Sequence, residues 1–81
     1  MLDALIVAGD AAEELERHGF VAVGKREDGV ARVEFWAREG TRVASFRYEL
    51  ADGDDTPRHV VEHCLALART HLKHMPSRPL S

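Results

Sequence analysis

One cysteine, Cys64, stands in the whole 81-residue chain, so no disulfide can close within it, whereas a secreted domain this small would often carry several. A reducing cytoplasm is the expected compartment. No apolar run approaches the ~20 residues of a membrane-spanning helix. The start, MLDALIVAGDAAEEL, has an apolar core of about five residues, lacks a basic flank and runs directly into acidic side chains, unlike a signal peptide. Basic residues are not in excess either. Lys and Arg number 11 against 14 Asp and Glu, giving a net charge of −3 and a pI near 5.9. That balance gives no general attraction to phosphate backbones or anionic lipid. Neither a membrane nor a nucleic acid is the expected partner, which leaves another protein or a second copy of the chain.

What is present is the composition of a folded domain: 44% hydrophobic and 31% charged residues. A chain of this length buries only ~60–65% of its unfolded surface, so its core is small. One domain is expected over residues 1–75, followed by a flexible tail over 76–81 that contains Pro76 and Pro79.

The segment from Val30 to Leu50, GVARVEFWAREGTRVASFRYEL with its leading glycine, alternates side chains as two strands of a hairpin. Placing Glu39-Gly40 at the tip opposes Arg38 to Thr41. Phe35 then meets Ala44, Val33 meets Phe46 and Ala31 meets Tyr48 on the core side. The outer side pairs Trp36 with Val43, Glu34 with Ser45 and Arg32 with Arg47. A first strand, Phe20–Arg26, precedes it, closed by the hairpin signal Asp28-Gly29. A two-residue turn there sets Val21 beside Trp36 and Val23 beside Glu34 on the outer face, with Phe20 and Ala22 inward; a bulged turn would exchange the two sets.

Asp10-Ala-Ala-Glu13 reads as a capping box, with a helix running from it to Gly19, a natural left-handed cap. Ala4–Ala8 could be the opening turns of that helix or a short buried strand. Leu5, Ala8, Ala12 and Leu15 share one helical stripe, which favours a single helix. At the other end, Thr56-Pro57 opens a second helix reaching Lys73 or His74. Its core stripe is Val60, Val61, Cys64, Leu65, Ala68, Leu72 and Met75.

These elements give an α+β fold in the order α-β-β-β-α, with a three-stranded antiparallel sheet and both helices on one face. The order resembles that of double-stranded RNA-binding domains, over most of the chain and in topology alone. Those domains place lysines at the start of the second helix to grip phosphates. This chain holds Asp52, Asp54 and Asp55 there and Glu27-Asp28 at the first hairpin tip, charges that repel phosphate.

His59-Val-Val-Glu62-His63 matches the H-x-x-E-H pattern of inverted zinc peptidases, and histidines four apart do share a helix face. No acidic residue follows Glu62 to complete such a centre, so zinc catalysis is not expected. His59, His63 and His74 lie along one side of the helix and are the side chains that could hold a metal; solvated histidines on a polar face are the plainer reading. No metal or cofactor is therefore expected. Thr41, Ser45, Thr56, Thr70, Ser77, Ser81 and Cys64 belong to no nucleophile motif, and the chain reads as non-enzymatic.

The outer sheet face remains. Trp36 with Val43 and Val21 forms an apolar row flanked by Arg32, Arg47, Arg38 and Glu34, residue types favoured in interface hot spots. The alternative is that the stems of Arg38 and Arg47 cover Trp36 and the row only stabilises the sheet. The first expectation is a small acidic binding or inhibitor protein that occludes a partner's surface, as domains encoded by phages against host defence do. The acidic loop Asp52–Asp55 would join in by imitating phosphate, and salt would weaken the complex. The second is a structural homodimer packed through the outer face. A nucleic-acid regulator using Lys25, Arg26, Arg32 and Arg47 comes third.

Overall fold

The computed structural model describes residues 3–51 and 53–72. Its elements are α1 (Ala4–Arg17), β1 (Val21–Glu27), β2 (Val30–Glu39), β3 (Arg42–Glu49) and α2 (Pro57–His71). The sheet is antiparallel in the order β1-β2-β3. This is the α-β-β-β-α fold that the alternation and the turn residues call for. Asp52, His74, Met75 and the tail over 76–81 lie outside the described residues.

Ala4–Ala8 belongs to one continuous helix. Its N-cap is Asp3, whose carboxylate accepts from the Leu5 amide at 2.8 Å. Asp10 and Glu13 are therefore mid-helix and cap nothing, contrary to the capping-box reading. The stripe is corrected too: Leu5 is 37% exposed, while Val7, Ala8, Ala11, Ala12 and Leu15 are buried. The C-terminus behaves as its sequence demands. Gly19 takes φ +101°, its amide donates to the Glu16 carbonyl, and the Phe20 amide donates to Leu15. This is a Schellman closure, and it brings Phe20 and Leu15, both buried, into the core together.

The first hairpin has the expected register, Val21 against Trp36 and Val23 against Glu34. Asp28 and Gly29 take φ +53° and +78°, the two positive values of a type I′ turn. The second hairpin turns one residue later than expected, at Gly40-Thr41, with Glu39 opposite Arg42. A Glu39-Gly40 turn would need positive φ at a glutamate; the observed turn needs it only at Gly40, which has φ +66°. The slip along β3 is two residues, so each side chain keeps its face and changes its neighbour. Phe35 meets Phe46, Trp36 meets Ser45, Arg38 meets Val43 and Glu34 meets Arg47. The slip also replaces the unfavourable Arg32–Arg47 pairing by Arg32 opposite Glu49.

Both helices cover one sheet face. α1 lies over β1 and β2, and α2 packs along α1 and reaches β3. Phe35 is the hinge of the core, edge-on to Phe20 at 5.4 Å and stacked on Phe46 at 5.0 Å between ring centroids. Small residues Ala8, Ala11 and Ala12 let α1 approach the sheet closely, and at the tightest point the strand carries Gly24.

From α2, Val60, Val61, Cys64, Ala68 and Leu72 are buried as expected. Burial pushes the Cys64 thiol up to about 12, with the Asp54 charge adding to the effect. Little thiolate forms near neutral pH, and no solvent reaches the sulfur. Reaction with a coloured thiol reagent is expected to run at least about a hundredfold slower in the native protein than in urea. A native rate close to the unfolded one would mean that α2 opens freely.

Candidate functional site

The face of the sheet opposite the helices is built by alternate residues of three strands. Val21, Trp36 and Ser45 form one row across it, Val23, Glu34 and Arg47 the next, and Lys25, Arg32 and Glu49 the third. Val43, opposite Arg38, adds an apolar side chain beside the first row. Val21, Val23 and Val43 are 66%, 43% and 63% exposed, and Trp36 is half-buried. Val21, Trp36 and Val43 thus share one face as read from the sequence, but Ser45 rather than Val43 faces Trp36, and Val43 stands diagonally beside it. Between β2 and β3 a shallow recess is lined by Glu34, Trp36, Ser45, Phe46 and Arg47.

Charge is arranged differently across the same face. The Lys25 ammonium lies 3.1 Å from Glu34 and 3.6 Å from Glu27. Arg32 contacts Glu27 at 2.7 Å and Arg47 contacts Glu34 at 3.7 Å. Arg26, pointing to the other side, holds Asp3 at 2.7 Å. All four cations proposed for a nucleic acid are therefore paired with carboxylates of the chain itself. Arg32 is drawn in far enough that its Nε is buried without a partner among the described residues. Displacing these carboxylates would oppose phosphate binding, so this half of the face is self-neutralised and the Trp36 half is apolar.

Within the acidic loop, Asp54 does not share that face. Asp54 is buried and turned toward the helix side, where its Oδ2 accepts from the Tyr48 hydroxyl at 2.6 Å and from the Ala51 amide at 2.8 Å. Asp55 is exposed. The Asp54 amide donates in turn to the Ala51 carbonyl, closing a compact turn ahead of α2. The Thr56 hydroxyl accepts from the His59 amide, and Pro57 follows at the first helical position, as expected for this start.

Asp54 also faces histidines. His59 and His63, one turn apart on α2, have ring centroids 4.8 Å apart; the His63 ring stacks on Tyr48, and its Nε2 is 3.9 Å from Asp54 Oδ1. Burial alone would raise the Asp54 carboxyl; the hydrogen bonds from Tyr48 and Ala51, with the nearby imidazoles, outweigh it and hold the group below its ordinary value. Tyr48 is pushed up by burial and by its bond to Asp54.

One ligand atom from each of Asp54, His59 and His63 lies within 4.8 Å of the others. His59 and His63 were visible as a pair from their spacing, but Asp54 was assigned to a partner surface, because only the path of β3 beneath α2 brings it to them. Glu62, the acid of the peptidase-like pattern, is exposed and is not in this group. His71 packs its ring 6.0 Å from Phe46. No helix among the described residues is long and apolar enough to cross a membrane. No protein-family model, curated protein or solved structure matches this chain.

Proposed function

We propose that the chain is a non-enzymatic protein-binding domain that acts as inhibitors do, by covering a partner's surface with its outer sheet face. One observation carries this reading: three valines with 66%, 43% and 63% exposure surround Trp36 on a sheet face that no described element covers. Apolar surface left in water is stabilised by burial at roughly 25 cal/mol per Å², and a tryptophan at the centre of such a patch is the kind of side chain that dominates binding. Arg38, Arg47, Glu34 and Arg32 form its rim. Because those rim charges that reach the patch are largely paired within the chain, binding depends mainly on apolar contact and is only weakly sensitive to salt. Asp54 takes no part, since its carboxylate is engaged on the opposite side of the sheet.

Trp36→Glu tests the proposal. The side chain is outside the core, so the variant is expected to fold while losing at least about 30-fold in affinity for its partner. Light scattering over a concentration range comes first. A wild-type dimer that becomes a folded monomer identifies the occupant as a second copy. If the wild type is a monomer, affinity capture with wild type against variant follows, and a protein retained only by the wild type supports the reading. Equal retention, or a variant that unfolds, overturns it.

A further inference from the structure

We propose that Asp54, His59 and His63 bind one divalent transition-metal ion of the zinc, nickel or cobalt class within a single chain. The three ligand atoms already lie within 4.8 Å of one another. Metal–ligand bonds of about 2.0–2.2 Å in a tetrahedral shell set neighbouring ligand atoms about 3.4 Å apart. Closing that difference requires only small rotations of two exposed imidazoles. Asp54 is the fixed member. Tyr48 and the Ala51 amide hold Oδ2 at 2.6 and 2.8 Å, which leaves Oδ1 directed at the His63 ring 3.9 Å away. Hydrogen bonds that orient a ligating carboxylate in this way support metal centres generally, and the Tyr48 ring stacked on His63 restricts the second ligand as well.

The donor set selects the ion. Two imidazoles and one carboxylate suit zinc, nickel or cobalt, whereas calcium and magnesium prefer shells made of oxygen. Cys64, the chain's one thiol, is buried on the core side of α2 and stays out of the set. The N-terminus of α2 repels a cation weakly; the full charge of the buried Asp54 carboxylate outweighs that partial one. Water fills the remaining positions. The bound ion ties the turn before α2 to the first two turns of that helix, so binding stabilises the folded chain.

The full chain, stripped with a chelator, would be titrated with zinc chloride by calorimetry and melted with and without the ion; cobalt(II) supplies a visible spectrum. One zinc per chain is expected, with a melting temperature raised by about 10 °C or more at a hundredfold excess over the dissociation constant. His59→Asn and His63→Asn, both at exposed positions, should each weaken binding at least tenfold and lose the cobalt band, while His71→Asn behaves as wild type. The absence of both the thermal shift and the cobalt band in the wild type overturns the proposal. So does unchanged zinc binding in the His59→Asn/His63→Asn double variant, or a stoichiometry of one ion per two chains. If His63→Asn does not fold, His59→Asn alone decides in the same way.

Discussion

Gly24→Ala is expected to destabilise the protein by about 3 kcal/mol, the upper part of the range for overpacking, and to lower its melting temperature by on the order of 15 °C. A Cβ at Gly24 would stand 2.6 Å from the Ala8 carbonyl carbon and the Gly9 amide nitrogen and 2.7 Å from the Ala8 oxygen. All three obstacles are main chain, so no rotamer change relieves the clash; α1 as a whole must lift from β1. That lift would open contacts made by Val7, Ala8, Ala11 and Ala12, four of the five buried residues that the helix contributes to the core. Gly9→Ala, on the helix side of the same contact, is the control with the opposite sign. A Cβ there meets nothing within 4 Å among the described residues, and replacing a helical glycine by alanine should stabilise by about 0.5–1 kcal/mol. Urea unfolding of the two variants measures both. A Gly24→Ala variant within 0.5 kcal/mol of wild type would show that α1 does not sit against β1 at this point.

Why Gly24 is a glycine cannot be read from its neighbours in the chain. Val-Ala-Val-Gly-Lys-Arg is legible as a strand, and Asp28-Gly29 fixes its pairing with β2 because both residues tolerate positive φ. The close approach of a helix is a tertiary fact. The second hairpin shows the same limit in smaller form. Gly40 marks a turn, but its place within the turn depends on which neighbour must take positive φ, and that choice moved β3 by two residues. Cross-strand charges carried the missing information: the observed register sets Glu34 against Arg47 and Arg32 against Glu49.

The ends of the helices divide similarly. Gly19 and Thr56-Pro57 act through their own backbone or hydroxyl and were readable. Asp10-Ala-Ala-Glu13 has the form of a cap, yet Asp3, immediately before the apolar run, caps the helix and is also bound by Arg26. For the candidate sites, alternation alone placed Trp36, Val21 and Val43 on one face. The partnership of Asp54 with Tyr48, His59 and His63 required the sheet and α2 to meet, and charge counting had instead sent all three loop aspartates to a partner surface.

Asp54→Ala is the second large effect, an expected loss of about 3 kcal/mol. The substitution leaves the Tyr48 hydroxyl and the Ala51 amide without their acceptor, each in a partly buried place where an unmade hydrogen bond costs about 1–3 kcal/mol. Tyr48→Phe removes one of the two bonds and should cost about 1.5 kcal/mol. Adding it to Asp54→Ala should cost less than the sum, because the hydroxyl it removes has already lost its partner. The pH dependence follows from the sign of the shift. The folded protein holds Asp54 below its ordinary value of 3.8, so the unfolded chain takes up the proton first as the solution is acidified. Stability contributed by Asp54 is then complete above that value and disappears as pH falls through the lower, folded one. Urea midpoints measured from pH 6 down to pH 2 should therefore fall more steeply for wild type than for Asp54→Asn in the region below 3.8. Parallel curves, or an Asp54→Ala variant as stable as wild type, would mean that this carboxylate does not fasten the end of β3 to α2. The geometry says that it does: one oxygen closes the turn and grips Tyr48, and the other faces the histidines of the helix that follows.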